Sequence, residues 1–345
     1  MTVDRRAREM ELSAALRREI AGQQEAVAMT LRDGALAWQL DALAADVRAS
    51  GELLVTGMGA SLHAGMILVE LLREKGLRAW ALPTSELLHY GEALAVRPLL
   101  LISQSGASVE IERMLARDRV GVHALTLDAA SPLGRFGAAV IPGGPERAYA
   151  ATRSFTTTLA ALFALAGRMG VKVDVRGLSD TLAPALAPLE ALDAARAALE
   201  GVDAVFVTGR GPLHGLAEYV ALLFMELTRV PCAALEAAQF RHGPKEAAGG
   251  RLGVVALTAQ GGPGDLVRRF AAELAEAGSP TVLLDAGGAP VTAGAMVSVG
   301  LPASDELAAM LPMAVVAQRL AVALAEARGI TPGVPLRSEK VTREE

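Results

Sequence analysis

Pro98-Leu99-Leu100-Leu101-Ile102-Ser103-Gln104-Ser105-Gly106-Ala107-Ser108 is an apolar run that ends in a loop of hydroxyl residues. A helical stretch, Val109 to Arg119, follows it. The apolar run reads as a buried strand and the serines as its exit into a helix. Backbone N–H groups at a helix start lack intrahelical partners and carry the positive end of the dipole, so the junction suits an anion. Ser103, Ser105 and Ser108 add hydroxyl donors, and Gly106 allows a close backbone approach. No lysine stands in the loop, which sets it apart from a nucleotide P-loop. The plain alternative is an ordinary strand-to-helix turn capped by serine. The local pattern leaves both readings open.

The chain has 345 residues, long enough for two domains of ordinary size. Apolar residues make up 52% of it and aromatic residues 3%, which favours alanine-rich helices packed on sheets. A net charge of −5 does not suit a nucleic-acid surface, which would be basic. No apolar run of membrane-spanning length is expected. The start, Met1-Thr2-Val3-Asp4-Arg5-Arg6, leads into a charged amphipathic segment rather than a signal core. One cysteine, Cys232, permits no intrachain disulfide and fits a reducing, cytoplasmic setting. Its apolar surroundings mark it as a small core residue rather than a nucleophile.

Outward from the serine loop, the chain repeats itself. Leu53-Leu54-Val55-Thr56-Gly57-Met58-Gly59 returns as Ala204-Val205-Phe206-Val207-Thr208-Gly209-Arg210-Gly211, an apolar strand ending in Thr-Gly-x-Gly. Leu99 to Gly106 is echoed by Val254 to Gly261, and Leu125 to Ala129 by Val282 to Ala286. Glu86 to Gly91 has its counterpart in Gln239 to Pro244. The order is kept at an offset of roughly 150 residues, which suits a duplicated domain rather than a solenoid. Each copy alternates strand and helix, so the expected fold is α/β, with two tandem doubly wound parallel-sheet domains behind an N-terminal helical segment. The expected divisions are a helical segment 1–48, a first domain 49–178, a linker helix 179–200, a second domain 201–330 and a tail 331–345. Ligands of such sheets lie beyond the carboxyl ends of the strands, where the Thr-Gly-x-Gly turns and the serine loop fall. The second loop, Thr258-Ala259-Gln260-Gly261-Gly262, has lost most hydroxyls, so one anion site per chain is expected, in the first copy.

Two residues of the second copy could carry chemistry. Glu226 stands in the apolar helical stretch Val220 to Leu227, where desolvation would raise its pKa toward that of a general base. The competing reading is a glutamate at a helix edge that reaches water or pairs with Arg229. His242, in Phe240-Arg241-His242-Gly243-Pro244, sits where Gly-Pro stops a regular element; it is open to a ligand or plainly structural. The histidines show no metal-ligand spacing and no cysteine cluster supports them, so no metal is expected. Gly57-Met58-Gly59 and Gly209-Arg210-Gly211 lack the third glycine of a dinucleotide fingerprint.

Taken together these residues resemble the two-domain branch of the sugar isomerase (SIS) family. That branch includes the isomerase half of glucosamine-6-phosphate synthase, type II glucosamine-6-phosphate deaminases and sugar-amine deglycases. The resemblance runs through Glu19-Ile20 with Gln23, Gly59-Ala60-Ser61, Ser103-Gln104-Ser105-Gly106, Ala151-Thr152-Arg153-Ser154-Phe155, Phe240 to Pro244 and Lys340-Val341-Thr342. It implies a flavodoxin-like SIS domain in each copy. It further implies that Ser103, Gln104, Ser105, Gly106 and Ser108 hold a phosphate, and that Gly59, Ser61 and Thr152 line the sugar. By the same likeness Glu226 moves a proton between C1 and C2, His242 assists ring opening from the partner subunit, and Lys340 meets the open-chain carbonyl or forms an imine with it. The implied enzyme isomerises or deaminates a sugar 6-phosphate without cofactor, metal or glutaminase activity. It is expected to form a homodimer with a shared site, and to have neither nucleic acid nor membrane as a partner. A ketoamine 6-phosphate deglycase and a non-catalytic sugar-phosphate sensor are the alternatives. Ala60, Ala151 and Leu223 replace a threonine, a serine and a lysine of the family pattern, which bears on the sugar.

Overall fold

The computed structural model describes residues 2–91, 98–117, 121–288 and 293–344. Three helices lead the chain: α1 (Thr2–Ala21), α2 (Gln23–Arg32) and α3 (Gly34–Ser50). Asp33 separates the last two. Its backbone is extended and its carboxylate accepts the Leu36 N–H at 2.7 Å, capping α3. Gly51 ends α3 in the left-handed conformation, with φ 71°.

The first sheet unit follows as β1 (Glu52–Gly57), α4 (Ala60–Glu74), β2 (Arg78–Pro83), α5 (Thr84–Tyr90), β3 (Leu99–Ile102), α6 (Val109–Leu115), β4 (Val122–Thr126), α7 (Pro132–Phe136), β5 (Ala139–Val140) and α8 (Arg153–Arg168). Its strands are parallel in the order β2-β1-β3-β4-β5. The helix expected from Val109 to Arg119 ends at Leu115, and Arg119 lies outside the described residues. The expected linker helix is two helices, α9 (Leu182–Leu186) and α10 (Ala191–Leu199). Pro188, which lacks an N–H and forces Ala187 into extended backbone, divides them.

The second sheet unit contains β6 (Ala204–Gly209), α11 (Pro212–Thr228), β7 (Cys232–Glu236), α12 (Ala237–Phe240), a 3-10 turn at Pro244–Ala247, β8 (Leu252–Ala259), α13 (Gly262–Glu276), β9 (Thr281–Ala286), β10 (Met296–Gly300) and α14 (Glu306–Ala327). Its order, β10-β9-β8-β6-β7, is the first sheet's order read from the opposite edge. Both sheets are therefore parallel and flavodoxin-like, with two copies of the 2-1-3-4-5 arrangement. By contact the chain divides into Gly22–Ser179 with Pro335–Glu345, and Met1–Ala21 with Asp180–Val334. Helix α1 thus belongs with the second sheet and the tail with the first.

Strands covered on both faces need continuous apolar sequence, and β3, β8 and β9 are buried along their whole length. In the first unit α8 is buried from Ser154 to Ala166, and its Thr156 hydroxyl donates to the buried amide oxygen of Gln23 at 2.9 Å. In the second unit Phe240 is wedged edge-on between Phe206 and Phe270, with ring centroids 5.3 and 5.2 Å away. One sequence expectation is corrected here. Helix α14 is long and apolar enough to match a membrane span, but 78% of that window is buried inside the protein, as a core helix of its own unit. Phe240 is fully buried, so Phe240→Ala should lower unfolding free energy by about 3–5 kcal/mol in urea titration. A loss under about 1 kcal/mol would mean that the aromatic trio does not anchor this core.

Candidate functional site

The chain reverses its course across the first sheet between β1 and β3, and that is where an open α/β sheet leaves a crevice. The register places Gly57 beside Ile102, so the turn after β1 and the loop after β3 leave the sheet side by side. Glycine is required at this edge: a Cβ on Gly57 would lie 2.9 Å from the Ile102 carbonyl oxygen. Gly59, with φ 51° and ψ −130°, then turns the chain into α4, which carries Ser61 in its first turn. This brings Gly59, Ser61 and the loop Ser103–Ser108 to one end of one sheet.

Backbone bonds fix the loop's shape. Ser103 N–H donates to Leu125 O at 3.0 Å, Leu127 N–H to Gln104 O at 3.2 Å, and Leu133 N–H to Gly106 O at 3.0 Å. Gly106 has φ 60°, and a Cβ there would come within 2.2 Å of Ser131 Oγ. The Ser103 hydroxyl accepts the Gly106 N–H at 3.1 Å and keeps its own proton to donate. Ser108 is the N-cap of α6, yet its side chain makes no capping bond. Ser103, Gln104, Ser105 and Ser108 are half-buried. The helix end contributes less than its sequence promises. The first N–H of α6, on Val109, donates to the Thr342 carbonyl of the tail at 3.1 Å, and Glu110 and Glu112 already face the dipole from the first turn. Hydroxyls and loop amides are therefore the donors left for an anion.

Thr152 and Lys340 lie elsewhere in the same unit. Thr152 is buried, and its N–H and hydroxyl both donate to Glu146, at 3.0 and 2.6 Å. Lys340 Nζ donates to the carbonyls of Ala148 and Tyr149 and stands 3.9 Å from the Glu146 carboxylate. Glu146 escaped the sequence reading because it follows the loop Pro142-Gly143-Gly144-Pro145, with no periodic pattern around it.

Glu226 and His242 belong to the second unit. Glu226 is half-buried near the end of α11, where Arg229 donates to Val334 O at 3.2 Å. His242 is exposed between α12 and the 3-10 turn, with Gly243 at φ 118° ending the element as its Gly-Pro sequence requires. The turn after β6 repeats the geometry of its twin: Gly211 has φ 52° and ψ −132°, and Thr208 donates to Leu235 O at 2.8 Å as Thr56 does to Leu82 O at 2.9 Å. The loop after β8 does not. A buried guanidinium, Arg268, lies behind it, 3.1 Å from Asp285 and 3.5 Å from the Ala259 carbonyl. Burial pushes the Cys232 thiol up to about 12, so it is a neutral thiol near pH 7. On α11, burial raises Glu218, with His214 opposing, a perturbed carboxyl that no sequence motif announced.

Glu236 caps α12. Partial burial would raise its carboxyl, but the N–H groups of Ala238 and Gln239 and the Arg210 guanidinium outweigh it and hold it below its usual 4.5. A depressed carboxyl adds stability above pH 4.5 that is lost as pH falls through its folded value. Glu236→Gln should therefore flatten the acid limb of the stability-against-pH curve; curves of equal slope for the two proteins would contradict the capping account.

No family model matches the sequence. A provisionally named D-galactosamine-6-phosphate deaminase of Streptomyces coelicolor is 32% identical over 346 residues, covering 90% of this chain and 88% of the relative. The isomerizing glutamine–fructose-6-phosphate aminotransferase of Sulfolobus acidocaldarius is 27% identical over 259 residues, and the match takes in 72% of this chain but 43% of the aminotransferase. The chain therefore spans under half the length of that relative. Among solved structures, the tagatose-6-phosphate ketose/aldose isomerase of Escherichia coli shares the fold, with TM-score 0.79 and 23% identity over 94% of this chain and 97% of that one. With two parallel five-stranded sheets and 32% identity over most of the deaminase's length, the chain belongs to the sugar isomerase (SIS) family.

Proposed function

We propose that the protein is an enzyme that isomerises or deaminates a sugar 6-phosphate by proton transfer beside the open-chain carbonyl. The observation that carries this reading is the pairing of Gly57 with Ile102, which sets a rigid, hydroxyl-rich loop beside the Gly59–Ser61 turn at the sheet's crevice. Ser103, Gln104, Ser105 and Ser108, with the Gly106 backbone, hold the phosphate. Gly59, Ser61 and the Thr152 segment bound the sugar. Likeness over 88% of a relative named for D-galactosamine 6-phosphate supports the substrate class.

Glu226 is the base. Removing the C2 proton of an open-chain 2-amino aldose and returning it at C1 turns the aldehyde and amine into an alcohol and a C2 imine, passing through an enolamine. Water then adds to the imine, releasing ammonia and a ketose 6-phosphate. With a hydroxyl at C2 the same transfer passes through an enediol and ends at the ketose, so one base serves both outcomes. His242 opens the ring and acts across a homodimer, a role its exposed loop leaves free. Lys340 meets the carbonyl at C1. The second reading, a ketoamine 6-phosphate deglycase, is favoured by Leu223. That side chain is buried at 1% exposure, one turn before Glu226, where the family's amino-sugar enzymes carry lysine.

The test is to incubate the protein with galactosamine 6-phosphate, glucosamine 6-phosphate, fructose 6-phosphate and a ketoamine phosphate, following ammonia, ketose and free amine. Turnover of at least one is expected, and Glu226→Gln should bind that sugar while losing about a hundredfold or more in kcat. Binding of all four with turnover of none leaves a sensor; turnover retained in Glu226→Gln removes that residue from the base role.

A further inference from the structure

Glu146 has no part in the proton transfer, yet its side chain is wholly buried. A carboxylate is kept in such a place only where donors surround it. Four come from three consecutive residues: the Thr152 N–H at 3.0 Å, the Thr152 hydroxyl at 2.6 Å, the Arg153 N–H at 2.8 Å and the Ser154 hydroxyl. Two of these, the Thr152 and Arg153 N–H groups, are orphan donors of the α8 N-terminus, so Glu146 helps fix where that helix begins. Charge is met from the far end of the chain, by Lys340 Nζ at 3.9 Å. The same ammonium donates to the carbonyls of Ala148 and Tyr149, so it is held against the segment that leads into Thr152. Two residues further on, the Thr342 carbonyl accepts the Val109 N–H at 3.1 Å, directly behind the phosphate loop.

We propose that Glu146 is a positioning residue: its buried carboxylate seats Lys340, and through Lys340 it seats the tail at Thr342 on the first turn of α6. This rests on the reading above in assigning Lys340, the α8 start and the serine loop to the sugar phosphate. Glu146 then ties three parts together, the α8 start that bounds the sugar, the lysine that meets C1 and the helix that follows the phosphate loop. It does so without touching substrate. The span from phosphate loop to Lys340 is set by protein contacts before the sugar arrives, which lowers the ordering needed on binding.

Two substrate-free measurements on the full chain test this, so their failure is separate from failure of the enzyme reading. In the first, lysines are acylated with acetic anhydride and read by mass spectrometry, with the exposed Lys75 as internal reference. Glu146→Gln should raise Lys340 labelling about tenfold relative to Lys75, since release from a charged neighbour exposes the amine. In the second, hydrogen exchange at the Val109 amide should speed up about tenfold in Glu146→Gln and in Lys340→Met, and no further in the double variant. Unchanged Lys340 labelling in Glu146→Gln, or additive exchange effects, would overturn the proposal. Should Glu146→Gln fail to fold, Lys340→Met decides alone: wild-type protection at Val109 overturns the proposal and faster exchange supports it. With an active sugar phosphate, Glu146→Gln should lower kcat more than it changes KM, the mark of a lysine out of place rather than of a lost phosphate grip.

Discussion

Parallel pairing of β1 with β3, closed at Gly57 and Ile102, is the constraint on which the rest of the first unit depends. It makes the chain reverse across the sheet, and the reversal leaves two loops at one edge with room between them. Neither glycine at this edge is replaceable by a residue with a Cβ. Gly57 would press on the Ile102 carbonyl, and Gly106, at φ 60°, would press on Ser131. The loop is held because its carbonyls accept the Leu127 and Leu133 N–H groups, and the Ser103 hydroxyl accepts the Gly106 N–H while keeping its own proton to donate. A preorganised set of donors of this kind holds an anion at little cost in order.

The two sheets show how one scaffold diverges. Their first turns share backbone angles to within 2°, from Gly59 at φ 51°, ψ −130° to Gly211 at φ 52°, ψ −132°. Their second loops differ because the space behind them is used differently. In the first unit Thr126 donates to the Gln104 carbonyl at 3.3 Å. In the second, Arg268 and Asp285 form a buried pair there, and Gly287 has no room for a side chain, a Cβ lying 1.6 Å from the guanidinium. Arg268 gives its terminal N–H groups to Asp265, Asp285 and the Ala259 carbonyl, so they are taken up within the protein.

Much of this is legible in the sequence. A four-residue apolar run between a proline and a serine loop read as β3, because a strand buried on both faces leaves no alternative to continuous apolar sequence. The Thr-Gly-x-Gly repeats marked both turns, because only glycine takes the positive φ they need. What escaped was tertiary in origin. Glu146 lies in a proline- and glycine-rich loop, and its role exists only once Thr152 to Ser154 and the tail close on it. Helix α14 is the exception: its apolar length is plain in the composition, against the expectation of no such run, and its burial marks it as a core helix. The α6 terminus has less to offer an anion than its sequence suggests, since no sequence pattern shows a tail carbonyl 233 residues away taking the Val109 N–H.

The central claim is that one crevice of the two, at β1 and β3, receives the phosphate. Titration of the isotopically labelled protein with galactosamine 6-phosphate, read by backbone amide chemical shifts, tests it most directly. The account predicts shifts concentrated at Ser103–Ser108 and Gly59–Ser61, with Thr258–Gly262 unmoved. Shifts at Thr258–Gly262 with the serine loop silent would contradict it.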